Sequence, residues 1–396
     1  MDMELDIDGG IEEASAPRRL GLTNTIQASF GAPDNPDYIF DIVASQDSSV
    51  MAVSLSTNVI KLYSPVTGQY LGDINGHEGT ISEISFSDLN SPQILHSCSV
   101  DGTIRAWDTR NRQQVSILRG KSSSGEMFSF NIGGSTGDLV AAGSNAKVLF
   151  WDWRNQKQVA CLEECHMEDV TQVRFHPNRR DRLVSGSVDG LMCVIDASSN
   201  INDDDQLESV MNVGTSIARI GFFGASNKKL WCLTHVETLS IWDWEDTLQE
   251  AAIGEARATA SANWNLPHVD YFVNCHYSLS HDRLWLIGGT NDGSLGYFPV
   301  SYNRSNGQNQ PNSSVIGSLG AALIGGHVGV VRSVWSPFNV GVEPVHNQRI
   351  VWTGGEDGRL CCWSEGDMSL KNRAWISPGL IMKTLKNSKQ HRHRPY

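Results

Sequence analysis

The chain has 396 residues, 40% of them hydrophobic and 19% charged, and its net charge is −13. This excess of carboxylates argues against a general binder of nucleic acids or of membrane surfaces. We find no apolar secretory leader and no apolar run of about eighteen residues for a membrane helix. The eight cysteines form no C-x-x-C pair, so we expect a reduced, intracellular protein.

The chain begins with an acidic segment. Residues 1–16 carry six carboxylates and no lysine or arginine, which predicts disorder. Residues 20–30 predict a lone strand ahead of the first repeated unit.

A hairpin at Leu95–Arg110 supplies the pattern on which the rest of the chain is built. Gly102 provides the positive φ of its turn, and its second strand ends in Trp107-Asp108. The same position recurs along the chain, at Tyr63, Trp107, Trp151, Ile195, Trp242, Phe298 and Trp363. The intervals are 44, 44, 44, 47, 56 and 65 residues. A period of about 40–45 residues indicates a repeat protein, here with seven units.

We place the units at 39–75, 76–118, 126–162, 165–212, 216–253, 269–324 and 326–364. The sixth carries a polar insert at 301–314, for which we expect a flexible loop. Residues 366–396 form a tail with seven lysines and arginines and one aspartate. An import signal, a weak RNA contact and a solvated tail all remain open for this segment.

Several units carry short marks of a known family. Gly76-His77 and Gly326-His327 open two units, and Trp107-Asp108, Trp151-Asp152 and Trp242-Asp243 end three. With these marks, residues 20–365 resemble the WD-repeat β-propellers. Three runs resemble the family of WD repeat-containing protein 89, which has Gigantus-like plant members: HMEDVTQVRFHP (166–177), LIGGTNDG (286–293) and GGHVGVVRSVW (325–335).

This resemblance implies an all-β, seven-bladed WD-repeat propeller closed by an N-terminal strand. The last unit stops after its third strand, at Trp363, and a propeller must cover the edge that this leaves. We expect residues 20–30 to complete that blade, as the family's N-terminal strand does. Plant relatives of the family are associated with growth control and with ribosome-related partners.

The resemblance also implies a structural network of buried polar side chains, which would cost roughly 1–3 kcal/mol each if unpaired. In blade two its members are His77, Ser97, Asp101 and Trp107. In blade seven they are His327, Thr353, Asp357 and Trp363. Blade four has His166, Ser185 and Asp189, but Ile195 cannot donate a hydrogen bond. Because the set recurs in three blades and no G-x-S-x-G motif occurs, we reject a Ser-His-Asp hydrolase.

Two W-D-x-R motifs place Arg110 and Arg154 in consecutive blades. Such arginines contact the ligase adaptor in WD proteins that are substrate receptors of cullin-4 ubiquitin ligases, and the planar guanidinium suits paired hydrogen bonds. The second copy departs from the pattern, with Asn145 at the position of Asp101. An arginine that caps a strand end remains the alternative. Further partner contacts are expected on the top face, at Thr80, Ser82, Asp169, Thr171, Arg332 and Glu356.

The sequence therefore predicts a non-catalytic scaffold for protein–protein interaction. By resemblance we favour regulation of growth and development through ribosome biogenesis or translation factors, with ribosome-assembly or ribosomal proteins as partners. The alternative is a substrate receptor of a cullin-4 ligase. We expect a monomeric propeller within a complex, in nucleus and cytoplasm, with no membrane contact and no sequence-specific nucleic acid binding. No cofactor, metal or catalytic residue is expected. Cys161, Cys165 and His166 are the nearest approach to a metal cluster, and His166 is better placed in the network.

Overall fold

The structure is a computed structural model that describes residues 18–28, 37–87, 91–120, 125–198, 201, 206–264, 268–302, 315–337 and 350–364. The predicted acidic segment 1–16, the basic tail 366–396 and most of the polar insert 301–314 lie outside these residues. The strands form seven separate sheets, one for each blade, which confirms the seven-bladed propeller.

The strands follow one another blade by blade. Two strands precede the first blade: β1 (Arg18–Arg19) and β2 (Gly21–Gln27). Blade one is β3 (Ile39–Ala44), β4 (Met51–Leu55), β5 (Ile60–Tyr63) and β6 (Tyr70–Ile74). Blade two is β7 (Ile81–Phe86), β8 (Ile94–Ser99), β9 (Thr103–Asp108) and β10 (Gln113–Arg119). Blade three is β11 (Ser129–Gly133), β12 (Leu139–Ser144), β13 (Lys147–Asp152) and β14 (Lys157–Leu162).

The second half continues in the same order. Blade four is β15 (Val170–Phe175), β16 (Arg182–Ser187), β17 (Leu191–Asp196) and β18 (Leu207–Asn212). Blade five is β19 (Ile217–Phe223), β20 (Lys229–Thr234), β21 (Leu239–Asp243) and β22 (Leu248–Ile253). Helix α1 (Ala256–Ala262) follows. Blade six is β23 (Tyr271–Ser278), a 3-10 turn (Leu279–His281), β24 (Arg283–Gly289), β25 (Leu295–Ser301), β26 (Val315–Ile316) and β27 (Ala321–Leu323). Blade seven contributes β28 (Val331–Trp335), β29 (Ile350–Gly355) and β30 (Arg359–Ser364).

The N-terminal strand closes the ring. β2 pairs antiparallel with β30, with Leu22 opposite Trp363 and Ile26 opposite Leu360, and so becomes the outer strand of blade seven. This confirms the predicted closure. The residues just before it make a second connection, because β1 pairs parallel with β27 of blade six. The N-terminal segment therefore holds blades six and seven together.

The core lies between neighbouring blades. Seven apolar clusters each combine residues from two adjacent sheets. Between blades one and two, for example, Ala52, Ile60 and Leu62 pack with Ile84 and Trp107. Each sheet is thus buried on both faces, which explains why the second and third strands of a blade are almost continuously buried.

Two rims are defined by the direction of the strands. The top rim carries the loops that enter each first strand and the turns between second and third strands, such as Asp101-Gly102, where Gly102 has a φ of +76°. The lower rim carries the other turns of each blade. In the described residues, no helix has both the length and the apolar character that a membrane crossing would demand.

Candidate interaction surfaces

The histidine network of blade two has the connections implied by the family resemblance. His77 Nε2 lies 2.7 Å from Ser97 Oγ, and His77 Nδ1 lies 2.8 Å from Asp101 Oδ2. The indole N–H of Trp107 donates to Ser97 Oγ at 2.8 Å. The backbone N–H of Glu78 donates to Asp101 at 3.1 Å. The network thus ties the loop that enters the blade to its central hairpin.

The same connections recur in blade seven. His327 Nε2 lies 2.8 Å from Thr353 Oγ1, and its Nδ1 lies 3.1 Å from Asp357. The indole of Trp363 donates to Thr353 at 2.8 Å.

Blade four has the shortened network that was predicted from Ile195. His166 lies 2.8 Å from Ser185 Oγ and 3.1 Å from Asp189. Both ring nitrogens of His166 are occupied. Among the described residues, no group of three or more His, Cys, Asp or Glu side chains is arranged to hold a metal ion.

The charge states follow from burial. Burial lowers the pKa of His77 and His166, although Asp101 and Asp189 oppose the shift. Burial would raise the pKa of Asp101, but hydrogen bonds from Thr103, His77 and the Glu78 N–H lower it below the usual value. A neutral histidine therefore faces an ionised aspartate. Ser97 Oγ already accepts a hydrogen bond from the indole N–H of Trp107. The Ser97 residue has 0% of its surface exposed, so no substrate can reach it. This geometry supports a structural role and not a nucleophilic one.

Asn145 has a different role from Asp101 at the same position. Its amide Nδ2 donates to Asp169 of blade four at 3.1 Å, and its Oδ1 accepts the backbone N–H of Glu126 at 3.2 Å. Trp151, which has no buried serine partner, donates instead to the carbonyl of Arg119 at 3.1 Å. The departure from the repeat pattern thus connects two blades.

Arg110 and Arg154 both project from the lower rim, with side chains 70% and 62% exposed. Asp108 holds Arg110 through two bonds, Nε to Oδ1 at 2.9 Å and Nη2 to Oδ2 at 2.6 Å. Arg154 is held more loosely, 3.4 Å from Asp138 and 3.7 Å from Asp152. The two arginines lie at equivalent places in adjacent blades, but only Arg110 is fixed by a bidentate pair.

The predicted top-face contacts do not form one set. Ser82 donates to the Met127 carbonyl at 2.7 Å and Thr171 to the Ile217 carbonyl at 2.8 Å, so both hydroxyls connect neighbouring blades. Arg332 Nε donates to Glu356 at 2.8 Å, and the two form an ion pair. Thr80 is exposed. Asp169 is half-buried and accepts from Asn145. The structure therefore places Ser82 and Thr171 within the propeller framework, where their hydroxyls already have partners.

A polar layer around the central axis was missed by the sequence analysis. In six blades a polar residue of the first strand lies opposite the next-to-last residue of the second strand: Asp41, Glu83, Ser129, Gln172, Arg219 and Ser333. In blade six the polar residue is Asn274, which lies one step further along, opposite Ile287. In six of the blades this residue follows a β-bulge, whereas blade three has none there. In five blades this polar residue stands two places after the apolar residue that begins the inner strand, and this spacing is the signal that could have identified the layer.

Charges of opposite sign meet within this layer. Arg174 Nη2 lies 2.9 Å from Glu83 Oε1, and Ser129 donates to Glu83 Oε2 at 2.6 Å. Ser333 donates to Asp41 at 3.0 Å. Burial raises the pKa of Asp41, while the positive charge of Arg219 opposes the shift. These contacts join blades two, three and four, and blades seven and one, near the axis.

Comparison with known proteins agrees with this architecture. The family model described as WD domain, G-beta repeat matches residues 68–108 and 156–196. The WD repeat-containing protein GTS1 of Arabidopsis thaliana is 52% identical over 100% of this chain and 98% of its own length. The WD repeat-containing protein 89 homolog of Dictyostelium discoideum is 34% identical over 68% of this chain and 72% of its length. The human DDB1- and CUL4-associated factor 10 is 25% identical over 40% of this chain and 28% of its length.

Proposed function

Since the chain belongs to the family of WD repeat-containing proteins that includes GTS1 and WD repeat-containing protein 89, we propose that it is a non-catalytic scaffold for other proteins. We further propose that its partners are ribosome-assembly or ribosomal proteins and that it regulates growth through them. The choice of partners comes from the family resemblance noted in the sequence, and the 52% identity to the plant relative over the whole chain strengthens that resemblance. We also propose that it acts in the nucleus and the cytoplasm.

One observation carries the scaffold proposal. The hydroxyl, histidine and aspartate sets that resemble catalytic groups are buried inside three blades, where their members are hydrogen-bonded to one another. In blades two and seven the hydroxyl also accepts a hydrogen bond from an indole N–H. Their hydrogen bonds fix the top rim, and both rims are left as rigid surfaces with many loops. A rigid surface loses little conformational entropy when it binds a partner.

The partner proposal is tested by affinity purification of the full chain followed by mass spectrometry. We expect ribosomal proteins and ribosome-assembly factors above the level recovered with an unrelated seven-bladed propeller. Recovery of ligase subunits without any ribosomal factor would contradict the proposal. A fluorescent fusion, with and without residues 383–396, tests the location and the role of the tail.

A second candidate function, substrate receptor of a cullin-4 ligase, is favoured by Arg110 and Arg154 and by the partial likeness to a DDB1- and CUL4-associated factor. If both arginines contact an adaptor, losing either leaves a buried partner group unpaired and costs roughly 2–5 kcal/mol of binding. Arg110→Ala with Arg154→Ala should then abolish co-precipitation of the adaptor while ribosome-assembly partners are retained. Arg283→Ala, on the lower rim of blade six, is the matched control. No adaptor recovered with the wild-type chain excludes this candidate, and undiminished recovery with the double variant excludes the two arginines.

A further inference from the structure

The loop that enters blade four presents an apolar side chain to water. Met167 follows the buried His166 and is 88% exposed, the highest value among the exposed large hydrophobic residues of the described chain. Its backbone N–H donates to Asp189 Oδ2 at 3.0 Å. The hydroxyl of Ser187 donates a hydrogen bond to the carbonyl of the next residue, Glu168, at 3.1 Å. Asp189 of the histidine network and the neighbouring Ser187 therefore fix the backbone at Met167 and Glu168.

This loop is also braced against blade three. Asn145 connects the Glu126 backbone to the Asp169 carboxylate, as described above. Ser144 Oγ donates to the Glu126 carbonyl at 2.7 Å, and the Val188 N–H donates to the Asp169 carbonyl at 3.0 Å. The top edges of blades three and four consequently form one rigid surface. A side chain held in place before binding loses less conformational entropy when a partner covers it.

The surroundings of Met167 are negatively charged. Glu126, Glu164 and Glu168 are exposed. Lys147, the nearby cation of blade three, is already paired with Glu163 at 2.7 Å. We call the surface formed by Glu126, Asn145, Glu164, Met167, Glu168 and Asp169 the Met167 platform. The equivalent residues of blades two and seven, Glu78 and Val328, have the same backbone hydrogen bond, but neither combines a methionine with flanking carboxylates.

We propose that the Met167 platform binds a basic protein segment in which an apolar residue lies among lysines or arginines. Methionine is polarisable and adaptable and is enriched in the cores of protein interfaces. The carboxylates around it match cations at the rim of a partner, where they guide the encounter and exclude acidic partners. Proteins that bind RNA phosphates carry such lysines and arginines. The proposal rests on the proposed scaffold function and specifies the chemistry of the partner.

The test uses two fluorescent peptides, one of leucine and lysine and one in which serine replaces each leucine. We expect the wild-type chain to bind the leucine–lysine peptide more tightly in fluorescence anisotropy. Met167→Ala should weaken that binding roughly tenfold, or about 1.4 kcal/mol, and leave the serine–lysine peptide unaffected. Glu164→Gln with Glu168→Gln should weaken the binding of both peptides, and the difference in affinity from wild type should diminish at high salt. Val66→Ala, 62% exposed on the lower rim, is the matched control.

Equal affinity of Met167→Ala and wild type for the leucine–lysine peptide overturns the proposal, as does an equal loss in Val66→Ala. Circular dichroism verifies that each variant is folded. The affinity purification described above separates this site from the proposed function. If ribosomal proteins are recovered but Met167→Ala binds the peptide as tightly as wild type, the Met167 site is wrong and the proposed function stands. If peptide binding depends on Met167 but no ribosomal proteins are recovered, the Met167 site stands and ribosomal partners are excluded.

Discussion

At the scale of single residues, the polar side chains of this propeller differ in how burial is compensated. Asp101 receives hydrogen bonds from His77, from Thr103 and from two backbone N–H groups, and its pKa is lowered despite burial. Asp41 near the axis has fewer compensating partners, and burial raises its pKa. The two carboxylates should therefore respond differently to replacement.

We predict that Asp101→Ala lowers the free energy of unfolding by roughly 1–3 kcal/mol, because His77 and two backbone donors lose a buried partner. Urea denaturation at neutral pH measures the change. The lowered pKa means that the ionised form stabilises the fold above pH 3.8, and that this contribution is lost as the pH falls through the folded-state value. An unchanged urea midpoint would show that the network is not needed for stability.

Asp41→Asn is the contrasting variant. Because the folded-state pKa of Asp41 is raised, ionisation of this carboxyl lowers the stability of the fold as the pH rises from 3.8 through the folded-state pKa. Asparagine keeps an oxygen for the Ser333 and Ile42 donors and removes the buried charge. We therefore expect its midpoint at neutral pH to equal or exceed that of the wild type.

At the scale of elements, the repeat in the sequence is out of phase with the blade. The matched segment 68–108 runs from the outer strand of blade one, β6, to the third strand of blade two, β9. A chain built from such units begins with an outer strand and ends with a third strand. The same phase explains why β2 lies beside β30 although more than 330 residues separate them.

We predict that deletion of residues 1–30 markedly lowers the melting temperature, because blade seven loses its outer strand and the buried residue Leu20 is removed from the cluster that contains Trp363. Deletion of residues 1–14 is the control, and we expect little effect from it because the sequence predicts disorder for this acidic segment. Equal melting temperatures for the two truncations would argue against closure by this strand. Differential scanning calorimetry makes the comparison.

At the scale of the whole molecule, the interfaces between blades contain neutral histidines. Burial lowers the pKa of both His96 and His276 from 6.5 to about 3. His96 packs against Trp153 of blade three, with ring centroids 4.7 Å apart, and the Nε2 atoms of both histidines have no hydrogen-bond partner. Protonation of either ring would place an unpaired charge inside an interface that holds the ring of blades together.

We predict that the propeller loses stability as the pH falls from 6.5 toward 3. The unfolded chain binds protons at these histidines in that window and the folded chain does not, which gives a slope of about 1.4 kcal/mol per pH unit for each histidine. His96→Phe fills the same space without a titratable group and should reduce the slope. Urea midpoints measured at several pH values test this, and a slope unaffected by the substitution would exclude His96 as a cause.

The sequence alone determined the features that depend on local spacing. Seven hairpins with a common end position predict seven blades, because each hairpin forms the two central strands of one sheet. The His77, Ser97, Asp101 and Trp107 set also lies within one unit, so its members come together as soon as that blade forms. The missing outer strand of the last unit left an edge to be covered, and the family resemblance implied that the N-terminal strand covers it.

Only the tertiary structure decided which polar residues are exposed on the rims and which connect blades. Ser82, Thr171 and Asn145 have partners in the next blade, more than 20 residues away and outside their own repeat unit. The polar layer that contains Asp41, Glu83 and Arg219, with Arg174 paired to Glu83, brings together first strands from across the ring. The pairing of β1 with β27 likewise joins distant parts of the chain. Local periodicity records the inward and outward faces of a strand, but the partner across an interface is set by how closed sheets pack around a common axis.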